Sequence, residues 1–197
     1  MTGRRGTATA SVAASTAVAV VMAASAWAET AKQSAQRPRG AVLDCAKVGG
    51  SARGAPGGTY RSANNLVVGP IAMTGAGLRP AELRADLGWQ KFPSYVRSGH
   101  RVTVEISGST WPHAGLIYGP RPKNPQLARS GYRVLTFIPC GRDTFEPNPH
   151  SYVACCFSFF SGGIRADAPR CVPLRFWVDD ERSPRRAIIY LGVSDCG

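Results

Sequence analysis

The sequence has 197 residues, six cysteines, and 24 Lys+Arg against 12 Asp+Glu, a formal net charge of +12. Its 22 glycines and 15 prolines follow no Gly-x-y period, no heptad is sustained, and 44% hydrophobic residues is too many for a disordered chain. Collagen, coiled coil and intrinsic disorder are thereby excluded, which leaves a compact, turn-rich domain.

Residues 1–28 have the layout of a removable signal peptide. Arg4 and Arg5 supply the positive start, Gly6 to Ala28 carries no charge, and Ala26-Trp27-Ala28 is a small-x-small cleavage site ahead of Glu29. The uncharged run is long enough to serve instead as an uncleaved anchor, but its many Ala, Ser and Thr residues make a poor lipid-facing helix. The Arg4-Arg5 pair leaves general and twin-arginine export both open, although Gly6-Thr7-Ala8 lacks the large apolar side chains expected in a twin-arginine signal. Cleavage removes two arginines and no acid, so the net charge falls from +12 to +10. Nothing downstream approaches the length of a transmembrane helix, and the predicted location is outside the cell, free or associated with the cell wall.

Residues 29–42 (ETAKQSAQRPRGAV) are polar and aperiodic, and predict a flexible spacer before a single domain over 43–197. Val42-Leu43-Asp44-Cys45 is a short strand candidate, and the glycine-loaded stretch from Gly49 to Asn65 reads as a long loop. From Leu66 the pattern is strand after strand. Arg101 to Ser107 is the clearest: Val102, Val104 and Ile106 alternate with Arg101, Thr103, Glu105 and Ser107, predicting one apolar face inward and one polar face outward. Similar runs are Leu66–Met73, Phe92–Arg97, Ala114–Tyr118, Tyr132–Pro139, Tyr152–Phe160, Val172–Val178 and Arg186–Val193. Turn signals separate them, among them Ser98-Gly99, Gly119-Pro120, Gly162-Gly163 and Asp179-Asp180. The one helix candidate is Pro80 to Leu87, with Pro80 at its first position and Gly88 as its stop. The sum is an all-β fold: an antiparallel β-sandwich, immunoglobulin-like or jelly-roll-like, with a closed barrel as the alternative that strand count does not separate.

In an exported chain the six cysteines predict disulfides. Cys45 opens the folded part and Cys196 stands one residue from the end. Domain termini tend to lie close together, so a Cys45–Cys196 bridge is expected, closing a loop of about 151 residues and stabilising by about 5 kcal/mol on a chain-entropy model. Cys140, which follows one strand candidate, and Cys171, which precedes another, form the second expected pair. The state of the adjacent Cys155 and Cys156 stays open. Strand neighbours point to opposite faces and a mutual bridge is strained, so free thiols, a shuffle with Cys140 and Cys171, and a redox role all remain.

No G-x-S-x-G, H-E-x-x-H, C-x-x-C, phosphate-binding loop or acidic calcium loop occurs. Ser158 and Ser161 lie in FSFFSGG, but no helix is predicted to follow, and a strand ending in a glycine turn is the plainer account. His100, His113 and His150 fall in turn-like contexts without the close pairing of a metal site, which predicts surface loop residues. Asp179, Asp180 and Glu181 read as a solvated hairpin tip rather than catalytic carboxylates. No catalytic, metal or cofactor-binding residue is assigned, and no cofactor is expected. Trp89, Trp111, Tyr118 and Tyr152 are candidates for a glycan-stacking platform, with core or strand-edge packing the commoner fate of such side chains.

Three segments carry a resemblance: Val96-Arg97-Ser98-Gly99-His100-Arg101-Val102-Thr103-Val104, Ala114-Gly115-Leu116-Ile117-Tyr118-Gly119 and Cys171-Val172-Pro173-Leu174. On them the chain resembles uncharacterised secreted proteins of high-GC Gram-positive (actinobacterial) bacteria, from about Leu66 to Cys196. Cys140, Cys171 and Cys196 fit that pattern, and Cys155-Cys156 departs from it. The resemblance implies export and a β-rich domain, and no activity, ligand or catalytic residue.

The function expected is that of a secreted, non-enzymatic β-sandwich that binds or decorates the cell envelope, drawn to anionic polymers by its positive charge. One alternative is a protein-interaction or protease-inhibitor-like module presenting Gly49–Asn65 or Tyr118–Ser130 to another secreted protein. The other is a hydrolase with an unfamiliar site built on His100 or His113 and an acid. Nucleic acid is not expected as a partner, because the compartment holds little of it.

Overall fold

Short segments of alternating polarity cannot bury their apolar side chains alone, and here they do so by pairing into two facing layers. The computed structural model describes residues 37–48, 60–83, 88–120, 130–141 and 157–197. The strands in chain order are β1 (Ala41–Asp44), β2 (Leu66–Val68), β3 (Ile71–Met73), β4 (Trp89–Lys91), β5 (Ser94–Arg97) and β6 (Val102–Ile106). They continue as β7 (Ala114–Tyr118), β8 (Val134–Ile138), β9 (Phe157–Phe160), β10 (Gly162–Ala166), β11 (Arg170–Val178) and β12 (Arg185–Leu191). A single helical turn follows β1 at Cys45–Val48, and a 3-10 turn spans Gly108–Thr110. The fold is all-β and sandwich-like.

One sheet has the order β1-β8-β6-β11-β12. Its strands pair antiparallel, except that β1 runs parallel to β8. The facing layer is made of β2-β3-β5-β9 and β4-β10-β7. These two groups are continuous, since β4 leads into β5 through Phe92-Pro93 and β9 into β10 through Ser161. The Phe92 N–H donates to Gly162 O at 2.9 Å across that bend. Phe137 of β8 joins the layers, its ring meeting Tyr118 at 5.2 Å and Phe160 at 5.1 Å, both edge-on. Around it Val102, Val104, Ile106, Leu135, Leu174 and Phe176 are buried, as their alternation predicts; each such side chain contributes about 1.5–3 kcal/mol by leaving water.

Several sequence expectations change. Leu66–Met73 is not one strand but the hairpin β2–β3, turning at Gly69-Pro70 with register Val68↔Ile71. Gly162-Gly163 is not a turn but lies within β10, where neighbouring strands press so close that a Cβ on Gly163 would stand 1.9 Å from Gln90 O. The described part of the Pro80 to Leu87 segment is not helical. The Ala81 N–H instead donates to Tyr190 O at 2.8 Å and its carbonyl accepts from Gly192 N at 2.7 Å, so the segment adds itself to the edge of β12. Ala41 and Val42, assigned above to the spacer, already belong to β1. The polar face of β6 is not exposed: Thr103 and Glu105 are buried because β8 and β11 flank β6 on both sides. Glu105 there receives Arg133 Nη2 at 3.2 Å and Trp177 Nε1 at 3.5 Å.

The four end cysteines form disulfides, but with different partners. The bonds are Cys45–Cys140 and Cys171–Cys196, not Cys45–Cys196 and Cys140–Cys171. The parallel register Asp44↔Ile138 brings the residues after β1 and β8 to the same end of the sheet, placing Cys45 beside Cys140 with α-carbons 5.1 Å apart. Cys171 stands opposite Tyr190 on β12, so the tail leaving β12 passes back by it. Residues 1–28, most of 29–42, Leu87, Cys155, Cys156, Tyr152 and His150 lie outside the described residues.

Candidate functional site

Three turns meet at the end of the sandwich where β6 begins. Ser98-Gly99-His100 links β5 to β6, residues 179–184 link β11 to β12, and Gly69-Pro70 joins β2 to β3. With Tyr60-Arg61 ahead of β2 they enclose a cleft of about 500 Å³. A shallower recess of about 420 Å³, lined by Gly99, Arg101, Ile138 and Asp180, lies on the other side of His100 and Asp179.

His100 and Asp179 form the wall between the two. His100 Nδ1 lies 2.7 Å from Asp179 Oδ2, while Asp179 Oδ1 accepts the Arg101 N–H at 2.8 Å. The carboxylate thus fixes the imidazole ring through Nδ1, and Nε2 has no hydrogen-bond partner among the described residues. Burial raises the Asp179 carboxyl. The His100 hydrogen bond, the Arg101 N–H and the charges of His100 and Arg37 outweigh that and hold it below the usual carboxylate range.

Three arginines and two carboxylates face the cleft. Glu181 accepts both Nε and Nη2 of Arg185, at 3.2 and 2.6 Å, so those charges answer each other. Arg61 and Arg97 have no carboxylate partner among the described residues. Both act on Tyr60, whose phenol is pushed up by burial while the Arg97 and Arg61 charges pull against it. Tyr60 donates its hydroxyl to Gly69 O at 2.7 Å and packs its ring 4.6 Å from that of Phe157. The result is one basic, aromatic-walled side and one side of mutually paired charges.

The other predicted candidates fall elsewhere. His113 lies beyond the opposite end of β6, with Nδ1 2.7 Å from Asp167 Oδ2, and Arg170 closes on Asp167 from the other side. The two described histidines are therefore each oriented by an aspartate, at separate places. No three metal-ligating side chains converge among the described residues. Ser158 is buried, and its Oγ accepts the Cys140 N–H at 2.8 Å, a structural role. Asp180 is at a solvated hairpin tip, its side chain 96% exposed. Tyr118 is buried and not a platform, donating to Phe92 O at 2.6 Å and accepting from Ser94 Oγ at 3.0 Å, with its phenol pushed far up by burial. Trp111 packs against the core.

Sequence reasoning passed over Tyr60, Arg61, Arg97 and Phe157. Arg97 and Phe157 stand opposite each other in the β5–β9 register, a pairing of strands about sixty residues apart that no local pattern announces. No helix among the described residues is long and apolar enough to cross a membrane. Compared with protein-family models, curated proteins and solved structures, the chain matches none.

Proposed function

We propose that this protein is an exported, non-enzymatic binding module that holds an anionic cell-envelope polymer in the cleft beside His100. The observation that carries the reading is the pair Arg61 and Arg97, cations without a carboxylate partner among the described residues, facing a cleft of about 500 Å³. An anion entering there meets guanidinium donors whose forked geometry suits carboxylate and phosphate oxygens. The net charge of +10 left after signal cleavage (22 basic against 12 acidic residues) adds long-range attraction toward the same partners. The two disulfides agree with life in an oxidising compartment, as does the signal-peptide layout of residues 1–28.

The test is retention on purified cell-wall material. The protein is expected to bind at low ionic strength and to be released by about 1 M salt, where the screening length is about 3 Å. Replacing both Arg61→Ala and Arg97→Ala is expected to weaken retention about tenfold or more. Retention that ignores both salt and the double replacement contradicts the proposal.

A second reading, hydrolysis, has one observation in its favour: Asp179 on Nδ1 leaves His100 Nε2 available for proton transfer. No hydroxyl or thiol hydrogen-bonds His100 among the described residues, so binding is the reading supported best.

A further inference from the structure

The cleft opens onto a face of the second layer that carries aromatic rings in a row. β5 and β9 pair as Tyr95↔Phe159 and Arg97↔Phe157. Alternation turns these four side chains away from the core, whose side is taken by the buried Val96, Ser158 and Phe160. The rings of Tyr95 and Phe159 lie 5.3 Å apart and those of Tyr60 and Phe157 4.6 Å apart. All four rings are half-buried and Arg97 is exposed. Two residues along a strand span about 7 Å, so the Tyr95–Phe159 pair stands one short step from Arg97 and the cleft mouth.

Aromatic faces are negative and their edges positive, so they favour the positive C–H faces of a sugar ring lying flat on them. A neighbouring arginine then takes an anionic substituent in a forked hydrogen bond. Resting on the anion-binding reading above, we infer that the ligand is a linear glycan whose sugar rings carry anionic groups. One ring lies on Tyr95 and Phe159, and the charge of an adjacent ring is held by Arg97 and Arg61. Single-stranded nucleic acid can use the same combination of stacking rings and cations. The two disulfides favour the glycan, because they belong to an oxidising compartment, away from the cytosol where nucleic acid is made and held.

Calorimetric titration of the full chain with four probes separates the contributions. Polygalacturonate offers rings with charge, dextran rings without charge, poly-L-glutamate charge without rings, and oligothymidylate the nucleic-acid combination. Polygalacturonate is expected to bind about tenfold or more tighter than each of the others. Replacing Tyr95→Leu together with Phe159→Leu, which keeps apolar bulk and removes the ring faces, is expected to bring polygalacturonate down to the poly-L-glutamate level. Binding of poly-L-glutamate itself should be unchanged by that pair, and Phe159→Tyr, which keeps the ring, should preserve the preference. Equal affinity for polygalacturonate and poly-L-glutamate, indifference to the leucine pair, or tighter binding of oligothymidylate overturns the inference while leaving the cleft as an anion site. If Arg61→Ala with Arg97→Ala leaves binding of both polyanions intact, the underlying reading falls as well.

Discussion

Asp179 serves both halves of the site from a left-handed backbone, φ 44°, a region where aspartate and asparagine are the side chains best tolerated. It pins the start of β6 through the Arg101 N–H and orients His100 with its other oxygen. Its carboxyl is held low in the folded state, and so is that of Asp167, where the His113 hydrogen bond is the largest cause. A depressed folded-state value contributes stability that is present above the unfolded value, about 4, and is lost as pH falls through the folded one. Urea unfolding followed down through the acid range is therefore expected to show falling stability below about pH 4. Asp179→Asn keeps a side chain suited to the same φ but removes the charge; it should lower stability at neutral pH and flatten that acid decline. A decline as steep as that of the unmodified protein contradicts this account. The sequence placed Asp179 correctly at a hairpin tip, yet its partner His100 is 79 residues away in the chain, and only pairing of β6 with β11 brings them together.

At the scale of elements, local alternation located most of the strands. The limits of Ala114–Tyr118 were read without error, and those of β6, β8, β11 and β12 to within one or two residues. It failed where a strand is defined by close approach rather than by side chains. Gly163 in β10 reads as a break, whereas it lies where another backbone crosses, and Gly115, inside the correctly read β7, stands at a second such crossing. A Cβ on Gly115 would stand 1.6 Å from Ser130 O, beside the bridge in which Leu116 and Tyr132 exchange hydrogen bonds of 2.8 and 2.9 Å. Gly115→Ala is therefore expected to destabilise by more than about 3 kcal/mol, in the range of severe core lesions, read from denaturant midpoints. An alanine variant of unchanged midpoint would show that the crossing segment yields freely.

For the molecule as a whole, the disulfides re-pair the four cysteines expected as Cys45–Cys196 and Cys140–Cys171, so that each end is tied to a strand of the sheet rather than to the other end. Cys45–Cys140 spans 95 residues and binds the parallel edge strand β1 to β8, whereas Cys171–Cys196 spans 25 and fastens the C-terminal tail to β11. On the chain-entropy model these loops are worth about 4.7 and 3.5 kcal/mol. Replacing Cys45→Ala with Cys140→Ala should thus cost more stability than replacing Cys171→Ala with Cys196→Ala, and non-reducing peptide mapping should recover Cys45 linked to Cys140. Equal losses from the two double variants would mean that native contacts around Cys171, and not loop length, govern the difference.

An all-β, disulfide-linked domain followed from this sequence alone, because period-two alternation, turn residues and cysteines are local signals read within a few neighbouring positions. Partner choice was decided only by the tertiary structure. The parallel β1–β8 edge selected the disulfides, the flanking of β6 on both sides buried Glu105, and the β5–β9 register set Arg97 among aromatic rings. The physical reason is the same in each case: which strands become neighbours depends on burying both layers at once, a condition on the entire chain that no short stretch of it can express.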